Sequence, residues 1–251
     1  MDRARILLVQ PSSAGPPGPL VEWLDEAEVD VEVIRPSKQE LPATLDGFGG
    51  MICLGGGMNA YDDDVHPWLA GTRALLSSAV TAQLPVLAIC LGAQLLAVAT
   101  GGQVRQMPDG PEAGPLLVAK RDVAADDVLF HDVPFMPDVL QFHSDEVSAL
   151  PPGAQLLASS PRCVNQAFRV GNCGYGVQFH IETTPAIVSQ WAASSPQVAA
   201  TVRDGDLTPE RLADVHCELA EAWRPFVTRF GKLVRGELAP VPGSANQLPL
   251  V

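Results

Sequence analysis

Several common kinds of functional site are missing from the sequence. It contains no Cys-x-x-Cys pair and no His-Glu-x-x-His motif, which argues against a structural or catalytic zinc site. It also lacks the Gly-x-x-x-x-Gly-Lys-Ser/Thr loop that cradles nucleotide phosphates. We therefore expect no metal, no cofactor and no obvious machinery for activating an acceptor with ATP.

Positive charge is scarce. The chain has 16 Lys and Arg against 29 Asp and Glu, which gives a formal net charge of -13. Such an acidic balance argues against nucleic acid and against an anionic membrane surface as partners. The acidic segment at residues 122–132 is interpreted as a solvated turn.

Long apolar runs and a disulfide framework are missing as well. The longest apolar stretch, residues 86–99, is too short to span a bilayer, and the run after Met1 is too short for a signal peptide. The five cysteines are an odd number without framework spacing, which favours a reducing compartment. We therefore expect a cytoplasmic protein with free thiols.

What the sequence does contain is an alternation of strand and helix patterns. Strand-length apolar runs lie at residues 6–9, 50–54 and 86–89, and residues 29–34 alternate between apolar and acidic side chains like an edge strand. Helical patterns lie at residues 20–27, 68–82 and 93–99. This succession predicts parallel βαβ units with right-handed crossovers. Between residues 103 and 179, short strands with Pro and Gly turns follow. We predict an α/β fold with an open, mostly parallel sheet flanked by helices and a small added antiparallel section.

The last 59 residues are predicted to form a helical appendage. Thr208, Pro209 and Glu210 make a good helix start, with a capping hydroxyl and proline at the first helical position. An apolar stripe follows at Leu212, Val215, Leu219, Trp223, Phe226, Phe230 and Leu233. We expect the stripe to pack on the protein's own body, and a partner surface is the alternative. The predicted domains are residues 1–192, and residues 193–251 as a helical appendage with a flexible tail.

Cys90 is the strongest candidate for a reactive group. It lies between the buried strand pattern at residues 86–89 and a run of helix formers, so the chain must turn sharply there. A nucleophile elbow has this arrangement, and the start of a helix favours a thiolate. Cys53 has almost the same neighbours, but Gly56 and Gly57 follow it instead of a helix. We therefore interpret Cys53 as a packing residue and Cys90 as the nucleophile.

A base and an orienting acid are present further along the chain. A predicted strand ends at residue 179 and is followed by His180 and Glu182. A nucleophilic cysteine needs a base to take its proton, and the base needs a group that fixes its orientation. Cys90 and His180 both follow strands at the carboxyl ends where open α/β sheets place their sites. The sequence thus predicts a triad of Cys90, His180 and Glu182.

These segments resemble a known family. Residues 89–94, the glycine turn at 55–59 and residues 178–182 are similar to the three signatures of class I, triad-type glutamine amidotransferases. Residues 141–145 and 158–168 fit as well, and the resemblance, to stand-alone members similar to the glutaminase domain of GMP synthase, covers residues 4 to about 192. It implies the flavodoxin-like sheet of that family. It also implies glutamine as substrate and a synthetase as possible partner.

The resemblance also implies roles for individual residues. Cys90 would attack the side-chain amide of glutamine, and a γ-glutamyl thioester would form and be hydrolysed. The backbone N–H groups of Gly56 and Leu91 would stabilise the oxyanion. The amino-acid end of glutamine would be held by Gln94 and by the segment His143, Ser144 and Asp145.

Three functions remain open on the sequence alone. The first is a glutamine amidotransferase that supplies ammonia to a synthetase. The second is a γ-glutamyl peptidase or hydrolase that uses the same triad, and the third is a catalytically silent scaffold.

Two other kinds of site fit the sequence less well. Gly55–Gly57 is not followed by the helix and the acidic residue of a dinucleotide-binding site. His180 is not accompanied by the Pro-Cys-x-x-Cys motif of zinc deaminases.

Overall fold

Residues 3–241, which the computed structural model describes, contain twelve strands and six α-helices. The strands are β1 (Ala4–Val9), β2 (Val29–Ile34), β3 (Gly50–Cys53), β4 (Val86–Ile89), β5 (Gln103–Gln106), β6 (Glu112–Leu117), β7 (Ala119–Lys120), β8 (Asp138–His143), β9 (Asp145–Ala149), β10 (Gln155–Ser159), β11 (Ala167–Val170) and β12 (Gly174–Val177). The helices are α1 (Leu20–Glu26), α2 (Trp68–Thr81), α3 (Leu91–Ala99), α4 (Pro185–Ser194), α5 (Pro196–Ala199) and α6 (Pro209–Val234). None of these helices is long and apolar enough to cross a membrane.

Eight strands form one sheet, in the order β2-β1-β3-β4-β12-β11-β10-β7. Neighbouring strands in the segment β2-β1-β3-β4-β12 pair in parallel. The pairings of β12 with β11, of β11 with β10 and of β10 with β7 are antiparallel. Two small antiparallel sheets are formed by β5 with β9 and by β6 with β8. The predicted open, mostly parallel sheet with an added antiparallel section is confirmed.

The central strands are covered on both faces, which explains their continuous apolar sequences. Side chains alternate between the faces, so Leu87 and Ile89 of β4 enter one hydrophobic core and Val86 and Ala88 enter the other. The first core contains residues of α1 and α6, and the second contains residues of α2 and α3. Both β4 and α3 are thereby fixed where Cys90 joins them.

The C-terminal helix packs on the protein's own body, as expected. Thr208 caps α6 by accepting a hydrogen bond from the backbone N–H of Arg211, and Pro209 is its first residue. Every residue of the predicted stripe is buried in the first core. The division into residues 1–192 and 193–251 stays a prediction. The flexible end predicted at residues 240–244 lies outside the described residues from residue 242 onward.

Truncating Trp223 tests this packing. Its side chain is fully buried, and its indole N–H donates to the carbonyl of Asp138 at 3.0 Å. We expect Trp223→Ala to lower the free energy of unfolding by about 3–5 kcal/mol, measured by urea denaturation. The control is Phe135→Ala, since Phe135 is 62% exposed and its loss should change stability by about 0.5 kcal/mol or less. Equal effects of the two substitutions would contradict a shared core.

The interpretation of residues 122–132 as a solvated turn is wrong at Asp127. Residues Asp122–Ala125 form a 3-10 turn, and the Asp127 side chain beyond it is buried. Its carboxylate accepts hydrogen bonds from the backbone N–H of Leu129 and from Nε of Arg169, each at 2.9 Å. The sequence gives no sign of this, because the compensating cation lies on β11, far along the chain.

Candidate active site

Cys90 occupies the turn between β4 and α3. Its backbone angles, φ 52° and ψ -111°, lie in a region that residues with a Cβ seldom adopt. Hydrogen bonds hold the turn on both sides, because its N–H donates to the carbonyl of Val177 at 2.8 Å and its carbonyl accepts from the N–H of Gln94 at 3.0 Å. Strained backbone of this kind clusters at functional sites.

Gly92 lets the helix start so close to the sheet. A Cβ at this position would lie 2.1 Å from the carbonyl oxygen of Cys53, so any side chain would clash with backbone at the end of β3. The first turn of α3 therefore packs directly on β3. Cys53 itself is fully buried, and burial raises the pKa of its thiol to about 12, which keeps it protonated.

His180 and Glu182 lie just beyond the end of β12 and are both buried. Nδ1 of His180 is 2.7 Å from Oε1 of Glu182, and Oε2 of Glu182 accepts the backbone N–H of Ile181 at 3.0 Å. The backbone N–H of His180 donates to the carbonyl of Leu140 at 2.8 Å, which anchors this segment to β8. The carboxylate thus fixes the orientation of the imidazole.

Cys90 and His180 meet around Gly55. A Cβ built on Gly55 would lie 3.0 Å from Cε1 of His180 and 3.8 Å from Sγ of Cys90. Both side chains border one cavity of about 190 Å³. Nε2 of His180, the ring nitrogen that does not face Glu182, has no conventional hydrogen-bond partner within residues 3–241. Catalytic hydrogen bonds are often long in a ligand-free site and tighten with substrate.

The surroundings of His180 favour its charged form. Burial alone would lower the pKa of the imidazole, but the charges of Glu182 and Cys90, with the hydrogen bond to Glu182, raise it to about 10. The charged imidazole stabilises the folded state. This contribution to the free energy of unfolding is complete when the pH is below the ordinary pKa of 6.5, and it is lost as the pH rises through about 10. At neutral pH the site therefore holds an imidazolium beside the sulfur.

Neutralising Glu182 should shift the pH dependence of activity. We expect Glu182→Gln to lower the pKa of His180, because the substitution removes a charge that raises it. The alkaline limb of kcat/KM, which falls near pH 10 if the imidazolium is needed, should move to lower pH. At neutral pH we expect activity to fall by about a hundredfold or more.

Glu218→Gln is the matched control, since Glu218 lies on α6 away from the cavity. It should leave the pH profile in place. An unchanged alkaline limb in Glu182→Gln would contradict the assigned role of this carboxylate.

The predicted oxyanion positions lie next to the sulfur. Gly56 borders the same cavity as Cys90, and a Cβ there would come within 3.1 Å of Cδ2 of Leu91. Leu91 is the first residue of α3, and the first N–H groups of a helix have no partner within it. The two positions are therefore adjacent to each other and to Cys90.

A second cavity, of about 210 Å³, is bordered by all four residues predicted to bind the amino-acid end of glutamine. Nε2 of Gln94 donates to the carbonyl of Asp145 at 3.1 Å, and Nδ1 of His143 lies 2.9 Å from the same oxygen. The Asp145 carboxylate accepts from the side-chain amide of Asn59 at 2.8 Å. Gln94 and His143 therefore shape the loop at Ser144 and Asp145.

Two residues of the site were not singled out from the sequence. Trp191 borders the first cavity, and Glu112 contacts His143 of the second. The Trp191 ring lies 4.6 Å from the His180 ring, and its indole N–H donates to the carbonyl of Ala14 at 2.7 Å. Oε2 of the buried Glu112 lies 3.3 Å from Nε2 of His143. The pairing of β6 with β8 brings these two together, and no local pattern announces it.

The chain is similar in sequence to several known proteins. The family model described as "Glutamine amidotransferase class-I" matches residues 19–189. A glutamine-hydrolyzing GMP synthase subunit of Methanocaldococcus jannaschii is 37% identical over 117 residues, which cover 46% of this chain and 60% of that relative. Gamma-glutamyl peptidase 4 of Arabidopsis thaliana is 29% identical over 140 residues, or 55% of each chain.

A solved structure shares the whole fold. The crystal structure of a glutamine amido transferase from Methylobacillus flagellatus superposes with a TM-score of 0.78 at 26% identity and covers 100% of both chains. The chain spans 60% of the length of the Methanocaldococcus relative and 26% of the GMP synthase of Porphyromonas gingivalis strain W83. Because the family model matches well over half of its residues, the chain belongs to the class I glutamine amidotransferase family.

Proposed function

We propose that this protein hydrolyses the side-chain amide of glutamine through Cys90, His180 and Glu182. The observation that carries the proposal is the convergence of the three groups: His180 contacts Glu182 at 2.7 Å and meets Cys90 around Gly55 in one cavity. Family membership supports the same chemistry.

The reaction proceeds in two steps. The Cys90 thiolate attacks the γ-carbonyl carbon, and the C–N bond breaks as His180 gives its proton to the leaving ammonia. The product of this step is a γ-glutamyl thioester on Cys90. Water, losing a proton to His180, then attacks the thioester, and glutamate leaves as the thiolate is restored. Glu182 holds the imidazole and stabilises its charge in both steps.

The oxyanion of each tetrahedral intermediate is stabilised by the N–H groups of Leu91 and Gly56. Each such donor contributes roughly 3 kcal/mol to lowering the barrier. Leu91 brings the positive end of α3 to the reacting carbon. The amino and carboxylate groups of glutamine bind in the second cavity, beside Gln94, His143, Ser144 and Asp145.

The ammonia serves a synthetase in this proposal. Support comes from the relative in Methanocaldococcus jannaschii, whose name describes it as one subunit of a glutamine-hydrolysing GMP synthase. A reducing, cytoplasmic location remains a prediction from the cysteine pattern.

A γ-glutamyl peptidase is the second candidate. The similarity to Gamma-glutamyl peptidase 4 favours it, and the same triad would act on a substituted γ-amide. The two functions differ in the leaving group, which is ammonia in one and a larger amine in the other.

The deciding experiment measures ammonia released from glutamine and amine released from γ-glutamyl dipeptides by the purified protein. The proposal predicts glutamine turnover, slow alone and faster when a co-purifying synthetase is added. Turnover of dipeptides far above that of glutamine would favour the peptidase. Inactivity of wild type and Cys90→Ala alike, with co-purifying proteins present, would support a silent scaffold.

A further inference from the structure

Two cavities meet at Cys90, and His180 borders only one of them. Gly56, Gly57, Cys90, Phe142 and Ser195 border both cavities. The predicted glutamine-binding residues border the second, whereas His180 borders the first. Since His180 must protonate the departing nitrogen, the first cavity lies on the leaving-group side of the sulfur. We name this cavity, bordered also by Ser12, Ala14, Gly15, Trp191 and Ser194, the amine cavity.

The amine cavity is larger than ammonia requires. Its volume of about 190 Å³ is several times the roughly 30 Å³ that a water molecule occupies in the liquid, and ammonia is of similar size. A substituent of several carbon atoms on the γ-amide nitrogen therefore fits.

The wall of the amine cavity is tied together by hydrogen bonds. The indole N–H of Trp191 on α4 donates to the carbonyl of Ala14, which joins the helix to the loop after β1. The hydroxyl of Ser194 donates to the carbonyl of Gln190 at 2.9 Å, and that of Ser12 accepts the N–H of Ala14 at 3.2 Å. The hydroxyls of Ser12 and Ser194 are thus engaged with backbone, and the ring centroids of Trp191 and Phe142 lie 5.5 Å apart.

The lining also fixes the charge that the cavity can accept. Among the described residues that border it, only Cys90 and His180 are ionisable. His180 is charged at neutral pH, but Glu182 and Cys90 already balance its charge. Apart from it, a carboxylate on the leaving group would find no lysine or arginine among the described residues that border the cavity, and an ammonium would find no carboxylate. Burying an unpaired charge is unfavourable.

We propose that the amine cavity is a binding site for an uncharged, largely apolar substituent on the γ-amide nitrogen, so that N-alkyl and N-aryl γ-glutamyl amides are substrates. This inference rests on the proposed function and adds to it a substrate class. The bond broken is the same C–N bond, and His180 delivers its proton to a primary amine instead of ammonia. α-Amino acids, whose carboxylate stays charged, are excluded as leaving groups.

The test compares glutamine with three larger substrates, whose substituents on the γ-amide nitrogen are similar to one another in size. They are γ-glutamyl-n-butylamide, γ-glutamylglycine and the monoamide of diaminopropane, whose substituents are neutral, anionic and cationic. Release of glutamate is followed for all four by the whole protein. We expect kcat/KM for the butylamide to equal or exceed that for glutamine and to exceed those for both charged substrates at least tenfold.

A cavity-filling variant separates the amine cavity from the triad. Ala14→Leu should lower the butylamide-to-glutamine ratio of kcat/KM at least tenfold, because the added carbons occupy the space of the substituent. Ala70→Leu makes the same change on the exposed side of α2 and should leave the ratio within twofold.

The outcomes distinguish this inference from the proposed function. Turnover of glutamine but not of the butylamide would overturn the inference alone, and so would a preference for γ-glutamylglycine. If no substrate is turned over, the affinities of the Cys90→Ala variant for the same compounds are measured by calorimetry. Binding of the butylamide at least tenfold tighter than that of γ-glutamylglycine would support the site, and equal or reversed affinities would overturn it.

Discussion

In the Cys90→Ala variant, ammonia release from glutamine is expected to fall by about a thousandfold or more. The thiolate is the only group in the described site that can form the thioester, and removing the nucleophile of a triad leaves only binding and oxyanion stabilisation. The substitution removes a single sulfur atom from a turn that backbone hydrogen bonds hold in place. The free energy of unfolding should therefore change far less than the activity.

Cys53 provides the matched control, because Ile-Cys-Leu-Gly surrounds both residues. Its thiol is fully buried and stays protonated, so Cys53→Ala should keep kcat within about threefold of the wild-type value. Both variants are assayed for ammonia and examined by circular dichroism. A Cys53→Ala enzyme as inactive as Cys90→Ala would contradict the choice of nucleophile.

Gly55→Ala is expected to lower kcat by about a hundredfold although it replaces no member of the triad. The new methyl group would lie 3.0 Å from Cε1 of His180 and 3.3 Å from Cβ of Cys90, so it separates the base from the nucleophile. Glu182 is hydrogen-bonded to Nδ1 of the imidazole and the Trp191 ring packs against it, so both contacts restrict its movement. A displacement of about 1 Å at a reacting group can lower the rate by about a hundredfold.

The control is two residues away in the same turn. A Cβ at Gly57 meets no atom within 4 Å among the described residues, so Gly57→Ala should lose at least about tenfold less activity than Gly55→Ala. Rates of ammonia release and unfolding free energies are measured for both. Equal losses would show that any side chain added to this turn lowers the activity. The contact of the new methyl group with His180 and Cys90 would then not be the cause.

The sequence predicted the frame of the site because that frame is set by local patterns. The apolar strand before Cys90 and the helix formers after it require a sharp turn, and the structure contains one. The alternation of residues 29–34 predicted an edge strand, and β2 lies at the edge of the sheet. The cap at Thr208 and the apolar stripe after it likewise define α6 from nearby residues.

The parts that escaped prediction depend on contacts between distant segments. Asp127 resembles any other surface acid until Arg169 is placed beside it by the packing of β11. In the sequence, Trp191 resembles a core residue of α4. Its place beside His180 depends on the hydrogen bond from its indole N–H to the carbonyl of Ala14, in a loop far away in the sequence. Such pairings carry no signal in spacing or composition, since each partner is an ordinary residue in its own segment.

Trapping the covalent intermediate tests the central claim most directly. Wild-type protein is mixed with glutamine, quenched in acid, digested and analysed by mass spectrometry. We predict a γ-glutamyl group on the peptide that contains Cys90, and none on the peptides of the other four cysteines. An active preparation that carries the group on a different residue, or that turns over glutamine with Cys90 never modified, would contradict the account.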